Sequence, residues 1–100
     1  MEKIKIMLMQ DAYVCCGEYR LHTEDGAPSI YVLRDWYEAS AADEAGNEYM
    51  VYWKIRSDYD PETMEEDSAC QWGSPVEIIR QDNGANVTDE AEIIDDGWNY

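Results

Sequence analysis

The stretch Glu48-Tyr49-Met50-Val51-Tyr52-Trp53-Lys54-Ile55-Arg56 carries the clearest structural signal in the chain. Its residues alternate between two faces, one formed by Tyr49, Val51, Trp53 and Ile55 and the other by Met50, Tyr52, Lys54 and Arg56. Aromatic and β-branched side chains favour a pleated sheet. Because both faces carry bulky groups, residues 48–56 are predicted to form a central strand.

The segment before this strand contains two further strand signals. Residues 2–9 place Ile4, Ile6 and Leu8 on one face by strict alternation, which predicts a strand. Residues 12–23 also alternate, and Gly17 interrupts them as a predicted bulge or turn. We expect one interrupted strand or two short strands here, paired with the first strand.

Residues 23–42 show a spacing that favours a helix. Thr23 or Asp25 can cap a helix, and Pro28 suits its first turn. Apolar residues then recur every three or four positions, at Ile30, Leu33, Tyr37 and Ala41. The pattern predicts a helix that ends near Ala42, followed by a turn at Gly46-Asn47.

The C-terminal part contains two more strand signals. Residues 76–81 and 90–95 are predicted strands, and Asp82-Asn83-Gly84 is a tight-turn sequence. Trp98 is either a docked anchor or part of a loose tail. The predicted order is β-β-α-β-β-β, which is an α+β fold with about four to five antiparallel strands and one main helix packed on the sheet. The chain, residues 1–100, is expected to form a single domain.

The net charge is the most unusual property of the sequence. It is −16, from 23 acidic residues against seven Lys and Arg. Residues 1–56 contain ten acidic and six basic residues, a net charge of −4; residues 57–100 contain thirteen acidic residues and one basic residue, a net charge of −12. This distribution argues against direct binding of nucleic acid or an anionic membrane, and it favours a basic protein partner or a cation.

The cysteine pattern favours a reducing compartment. Cys15, Cys16 and Cys70 are odd in number, and adjacent cysteines rarely bond to each other because that geometry is strained. The sequence shows no signal peptide and no transmembrane run. We therefore expect a cytoplasmic protein, in the host cytoplasm if a phage encodes it.

Two acidic stretches are the candidate partner-binding residues. The first spans residues 58–67 and comprises Asp58, Tyr59, Asp60, Glu62, Glu65, Glu66 and Asp67. The second comprises Asp89, Glu90, Glu92, Asp95 and Asp96. If the last strand lies near the first stretch, the two together form one acidic face.

Metal and catalytic sites are weakly indicated. An EF-hand loop counted from Asp58 requires Gly at position six and Glu at position twelve, but the chain has Thr63 and Ala69 there. Cysteine and histidine spacings match no familiar zinc site, and His22 belongs to no nucleophile motif. We therefore predict no cofactor, no metal ligand and no catalytic residue, with a weak cation-binding site as an alternative. Surface exposure is expected for His22, and Trp72 is expected to pack beneath the acidic loop.

In its small size, acidity, Tyr and Trp content and lack of a catalytic motif, the chain resembles small phage and mobile-element inhibitors, such as anti-CRISPR proteins and other DNA mimics. Thr23-Glu24-Asp25-Gly26-Ala27 and Trp72-Gly73-Ser74-Pro75-Val76-Glu77 also resemble segments of uncharacterised small phage proteins, over about a tenth of the chain. The resemblance implies an inhibitor whose acidic face blocks a nucleic-acid-binding groove, with a CRISPR effector nuclease as a candidate partner. The alternative is a cytosolic interaction or structural module without enzymatic activity, as a monomer or a dimer.

Overall fold

Six β-strands form one sheet in the part of the chain that the computed structural model describes, residues 3–23 and 27–94. The strands are β1 (Ile4–Leu8), β2 (Tyr13–His22), β3 (Pro28–Asp43), β4 (Glu48–Lys54), β5 (Glu77–Arg80) and β6 (Ala91–Ile93). A single 3-10 turn, Glu66–Ser68, lies between β4 and β5. The described residues contain no α-helix, so the expected α+β fold is wrong and the protein is all-β.

The strand order across the sheet is β5-β4-β3-β1-β6, and β2 pairs with β3 on the same edge as β1. The registers show this arrangement, because Leu8 of β1 lies opposite Ala41 and Tyr13 of β2 lies opposite Glu38. The expected pairing of the second strand with the first is therefore wrong. The expectation of a purely antiparallel sheet also fails at one edge, where β6 runs parallel to β1.

The residues expected to form the main helix belong to the long strand β3. Leu33, Tyr37 and Ala41 are four residues apart, and this spacing puts side chains on one face of a helix and also on one face of a strand. Ala39 distinguishes the two, because only a strand puts it on the same face as Tyr37 and Ala41. Ala39 is fully buried with them in the core.

Strand β3 bends near its middle. Its sixteen residues would extend for about 53 Å in a straight strand, but the longest dimension of the molecule is 40 Å. Asp35 has a positive φ of 55°, and its Oδ1 accepts a hydrogen bond from the Gly17 amide at 3.0 Å. The register of β2 shifts between Cys15 and Glu18, which confirms the bulge predicted at Gly17.

The bend separates a hairpin arm from the body of the sheet. We define the hairpin arm as residues 18–22 of β2 and 28–35 of β3. Strand β4 pairs with β3 from Trp36 to Ala42 and does not reach the arm. The arm folds back over the sheet, because the ring of Tyr19 stacks on Tyr52 of β4 with a centroid distance of 4.2 Å.

The hydrophobic core lies on the face of the sheet opposite the hairpin arm. Tyr49, Val51 and Trp53 are each at most 1% exposed, and β4 lies between β3 and β5, which confirms the predicted central strand and its buried face. The rest of the core comes from the neighbouring strands and from two loops, including Ile6, Tyr37, Ala39, Ala41, Ala69, Cys70, Ile78, Val87 and Ala91.

The sheet curls around this core. The Val87 amide donates to the Ile78 carbonyl of β5, and the Ile4 amide of β1 donates to the Glu90 carbonyl. Three peptide units join Val87 to Glu90, and they span at most about 11 Å. The segment 87–90 therefore brings the β5 side of the sheet close to the β1–β6 side.

One further local prediction can be compared with the structure, and two others cannot. The turn predicted at Asp82-Asn83-Gly84 is confirmed, because Gly84 has a φ of 71° and its amide donates to the Arg80 carbonyl. The predictions for Asp25 and Trp98 lie outside the described residues. Within residues 3–23 and 27–94, no helix is long and apolar enough to cross a membrane.

Candidate functional site

Residues 58–68, between β4 and β5, form an exposed segment that we call the acidic loop. The side chains of Asp58, Asp60, Glu62, Glu65 and Glu66 are all exposed. The Asp67 side chain and residues Asp95 and Asp96 lie outside what the structure describes. Five of the carboxylates predicted to bind a partner are thus presented to solvent by one loop.

Asp60 organises the first half of the acidic loop. Its side chain accepts hydrogen bonds from the Glu62 amide and the Thr63 hydroxyl, both at 3.0 Å, and its carbonyl accepts from the Met64 amide at 2.8 Å. Asp side chains favour such positions because they satisfy amides that a short turn leaves without partners. The loop therefore has a defined local conformation.

The second half of the acidic loop is anchored to the core. The Tyr37 hydroxyl donates to Glu66 at 2.8 Å, and the buried Ala69 carbonyl accepts from the Arg56 amide at 2.7 Å. Beyond the loop, Trp72 packs edge-on against Tyr37 and Trp53 with centroid distances of 5.3 and 5.2 Å. These contacts confirm the packing predicted for Trp72.

The sequence left open whether Tyr59 packs beneath the acidic loop or is exposed as an anchor for a partner. Its side chain is half-buried and packs against the hydrophobic core. Tyr59 therefore helps to hold the acidic loop in place, and only its remaining exposed surface is accessible to a partner.

The carboxylates of the acidic loop differ in how strongly the protein compensates their charge. Arg56 donates two hydrogen bonds to Asp58, at 2.8 and 3.0 Å, and this contact lowers the pKa of Asp58. Within the described part of the chain, neither Glu62 nor Glu65 takes part in a salt bridge. Glu62 and Glu65 therefore present their full charge to a partner.

The second acidic stretch lies elsewhere on the sheet. Asp89 and Glu90 are exposed just before β6, and Glu92 lies in β6 opposite Lys5 in the register. The acidic loop follows the end of β4, whereas Glu90 contacts the beginning of β1. Strands β1 and β4 run in the same direction because each is antiparallel to β3, so the two stretches are attached at opposite ends of the sheet.

A buried cluster around Glu77 was not predicted from the sequence. Glu77 is 1% exposed, and its carboxylate accepts three hydrogen bonds: from the Tyr19 hydroxyl at 2.5 Å, the His22 amide at 2.7 Å and His22 Nδ1 at 2.9 Å. Burial and the bond to Glu77 raise the pKa of Tyr19. Asn86 Nδ2 also donates to the His22 carbonyl at 3.0 Å.

The Glu77 cluster fixes the hairpin arm to the body of the protein. A carboxylate with almost no solvent contact is stable only when hydrogen bonds replace its hydration, and the arm supplies them. The expectation of a surface His22 without a role is therefore wrong. The sequence signal was absent because Glu77 alternates with Val76 and Ile78 as a solvent-facing strand residue would.

The three cysteines differ in their exposure to solvent. All three are free thiols, with Cys15 half-buried, Cys16 exposed and Cys70 buried. Burial raises the pKa of Cys70 to about 11, so this thiol is unreactive at neutral pH. Among residues 3–23 and 27–94, no group of three His, Cys, Asp or Glu side chains could hold a metal ion.

The acidic loop remains the main candidate for a functional surface. It combines exposed carboxylates with an anchored backbone, which suits the recognition of a basic surface and does not by itself suggest chemistry. Comparison with protein-family models, curated proteins and solved structures gave no match to this chain.

Proposed function

We propose that this protein inhibits a nuclease or defence complex by binding a basic groove that otherwise holds nucleic acid, in the manner of an anti-CRISPR DNA mimic. The observation that carries the proposal is the acidic loop, which presents five exposed carboxylates on a segment anchored to the core. The net charge of −16 supports the same conclusion, since it attracts basic surfaces over a longer range.

The proposed mechanism is electrostatic competition. A DNA duplex carries about one negative charge per 1.7 Å of its axis, and proteins bind it with Lys and Arg side chains that displace counterions. Carboxylates such as Glu62 and Glu65 can occupy the same cationic positions. The side chains that read a PAM are candidate targets, because they are arginines arranged to bind an electron-rich edge.

The proposal places the protein in the cytoplasm, where such nucleases act, and assigns it no catalytic step. Three free thiols suit a reducing compartment. The second acidic stretch, with Asp89, Glu90 and Glu92, would extend the contact on a partner large enough to reach both ends of the sheet.

The test is a competition experiment with purified CRISPR effector nucleases and labelled target DNA. The wild-type protein should displace DNA from the effector that it inhibits. The variant Glu62→Lys/Glu65→Lys should compete about 100-fold more weakly, because each reversal replaces an attraction with a repulsion and weakens binding by about 1.4 kcal/mol. These two residues are chosen because, among the residues that the structure describes, their side chains make no salt bridge and both are exposed.

The matched control is Glu44→Lys/Glu48→Lys, which makes the same change in net charge at exposed positions near the turn between β3 and β4. It should retain most of the wild-type competition, because the effect depends on position as well as on total charge. Added salt should weaken competition by the wild type. Equal losses in both variants, or no displacement from any effector, would contradict the proposal and favour an interaction module with another partner.

A further inference from the structure

Glu38 lies among aromatic side chains on the face of the sheet that carries the hairpin arm. It is directly opposite Tyr13 of β2 and Tyr52 of β4 in the register, and residues opposite each other in an antiparallel pair share one face. Trp36 is two residues earlier in β3, so its side chain is on the same face. We call Glu38 and these three aromatic residues the Glu38 site.

Two of the aromatic side chains hold the Glu38 carboxylate in place. The Tyr13 hydroxyl donates to Oε2 at 2.9 Å, and Trp36 Nε1 donates to Oε1 at 2.8 Å. The bond to Glu38 raises the pKa of Tyr13 to about 12, and burial together with Glu38 raises the pKa of the neighbouring Cys15 thiol to about 11, so both groups are neutral at pH 7. A carboxylate has about four acceptor positions, so the two oxygens can accept further hydrogen bonds.

The charge of Glu38 is not compensated within residues 3–23 and 27–94. None of the salt bridges in this part of the chain involves Glu38, and the donors that bind its carboxylate are neutral. Glu38 is half-buried, whereas Glu77 is almost completely enclosed beneath the arm. Partial burial strengthens the attraction of a cation, because the local dielectric constant is lower than that of water, and the remaining exposure lets the cation approach. Glu38 is therefore an ordered and accessible carboxylate suited to a cationic ligand.

A guanidinium group matches both the carboxylate and the rings of the Glu38 site. Its parallel N–H groups donate to the two oxygens of one carboxylate, and its plane stacks on aromatic rings. Tyr13 is 43% exposed, and Trp36 and Tyr52 are half-buried, so aromatic surface for a cation–π contact is accessible beside Glu38. An ammonium group can bind the carboxylate but has no plane with which to stack.

The guanidinium group that suits this site is carried by a protein. The site lies on a sheet face with an exposed Tyr13, whereas small molecules bind in pockets that enclose them, and a net charge of −16 attracts basic proteins. From these observations we infer that the Glu38 site binds an arginine side chain of a protein partner. The acidic loop is bonded to Tyr37, which faces the core on the other side of the sheet, so this contact is independent of the loop.

The experiment is an NMR titration of the full nitrogen-15-labelled chain at low salt with a short capped peptide that contains one arginine between two alanines. The indole N–H of Trp36 and the backbone amides of Tyr13 and Glu38 should shift and saturate at millimolar peptide. A matched peptide with citrulline in place of arginine has nearly the same shape and no charge. It should bind at least about tenfold more weakly, because it lacks the charge-assisted hydrogen bonds to the carboxylate.

Two variants test the two parts of the site. Glu38→Gln removes the charge and should weaken binding of the arginine peptide at least about tenfold, whereas the control Glu62→Gln removes the same charge from the acidic loop and should bind like the wild type. Tyr13→Ala removes an exposed ring and should weaken binding about threefold. Its control is Val14→Ala, at the neighbouring exposed position, which should have no effect. All four variants should keep the wild-type circular dichroism spectrum.

The positions of the shifted resonances separate this inference from the proposed function. Shifts confined to residues 58–66 would overturn the inference and leave the proposed function of the acidic loop intact. Saturable shifts at Tyr13, Trp36 and Glu38 would support it even if the protein displaced DNA from no effector. The inference would also be overturned by equal binding of the citrulline peptide, by unchanged binding in the Glu38→Gln variant, or by the absence of any saturable shift.

Discussion

Removal of the Glu77 side chain should destabilise the protein more than removal of any exposed carboxylate. Glu77 is 1% exposed and accepts hydrogen bonds from the Tyr19 hydroxyl, the His22 amide and His22 Nδ1. The Glu77→Ala variant breaks all three bonds. It also releases the end of the hairpin arm from β5.

Two opposing contributions set how far the free energy of unfolding falls when Glu77 is replaced. A hydrogen bond to a charged group contributes about 1.5–3 kcal/mol, so three of them set an upper limit of about 9 kcal/mol. The loss is smaller because a buried carboxylate carries a desolvation cost that the variant removes, and because Tyr19 and His22 are half-buried and can bind water instead. We expect the free energy of unfolding to fall by about 3 kcal/mol for Glu77→Ala and by about half of that for Glu77→Gln.

Urea denaturation followed by tryptophan fluorescence measures this change, since Trp53 and Trp72 lie against the core. Glu48→Ala is the control, an exposed carboxylate on the neighbouring strand that should change stability by less than about 0.5 kcal/mol. A double-mutant cycle with His22→Ala should give a coupling of about 1–2 kcal/mol. If Glu77→Ala behaved like Glu48→Ala, the role of this cluster in holding the arm would be refuted.

Three further predictions address other parts of the molecule. The carboxylate of Asp43 accepts hydrogen bonds from the Asn47 side chain, the Tyr49 hydroxyl and two backbone amides, and these hold its pKa at about 2. The pKa of an Asp in the unfolded chain is near 3.9. The stability that these hydrogen bonds contribute is therefore present above about pH 4 and is lost as the pH falls towards 2. Asp43→Asn should therefore lower the free energy of unfolding by about 1–2 kcal/mol at neutral pH, allowing for solvent screening. In urea titrations the difference in unfolding free energy between this variant and the wild type should shrink in acid, and a constant difference would contradict this account. Ala39→Leu should lower the free energy of unfolding by about 2 kcal/mol, because Ala39 is fully buried between strands, and an unchanged urea midpoint would show that the register of β3 is wrong. At pH 8 iodoacetamide should alkylate the exposed Cys16 at least about tenfold faster than the buried Cys70, as followed by mass spectrometry of peptides, and comparable rates would show that Cys70 is accessible.

Local sequence patterns were sufficient to predict the secondary structure where a strand has one face buried in the core. The alternation of residues 48–56 correctly predicted a central strand with Tyr49, Val51 and Trp53 buried, because the two-residue period of a strand matches the two sides of a sheet. The Asp-Asn-Gly turn was also predictable, since Gly84 adopts a positive φ that other residues avoid.

Local patterns did not predict the structure where a helix and a strand fit the same spacing of apolar residues, or where residues in contact are distant in sequence. Leu33, Tyr37 and Ala41 fit a helix and a strand equally well, and only the pairing of β3 with β4 on one side and with β1 and β2 on the other selects the strand. Exposure of most acidic-loop carboxylates followed from their charge. The contact between Arg56 and Asp58 lowers the charge available there, which composition alone did not show.

The sequence by itself determined the acidity of this protein, the position of the acidic loop and the central strand, because charge and alternation are local properties of the chain. Tertiary structure alone decided that β3 is a strand, that its outer half extends beyond β4, and that Glu77 is buried beneath an arm that begins more than fifty residues earlier in the chain. These features depend on hydrogen bonds and burial between segments distant in sequence. The acidic loop is therefore a local feature of the sequence, whereas its anchorage to Tyr37 and to the core is a property of the fold.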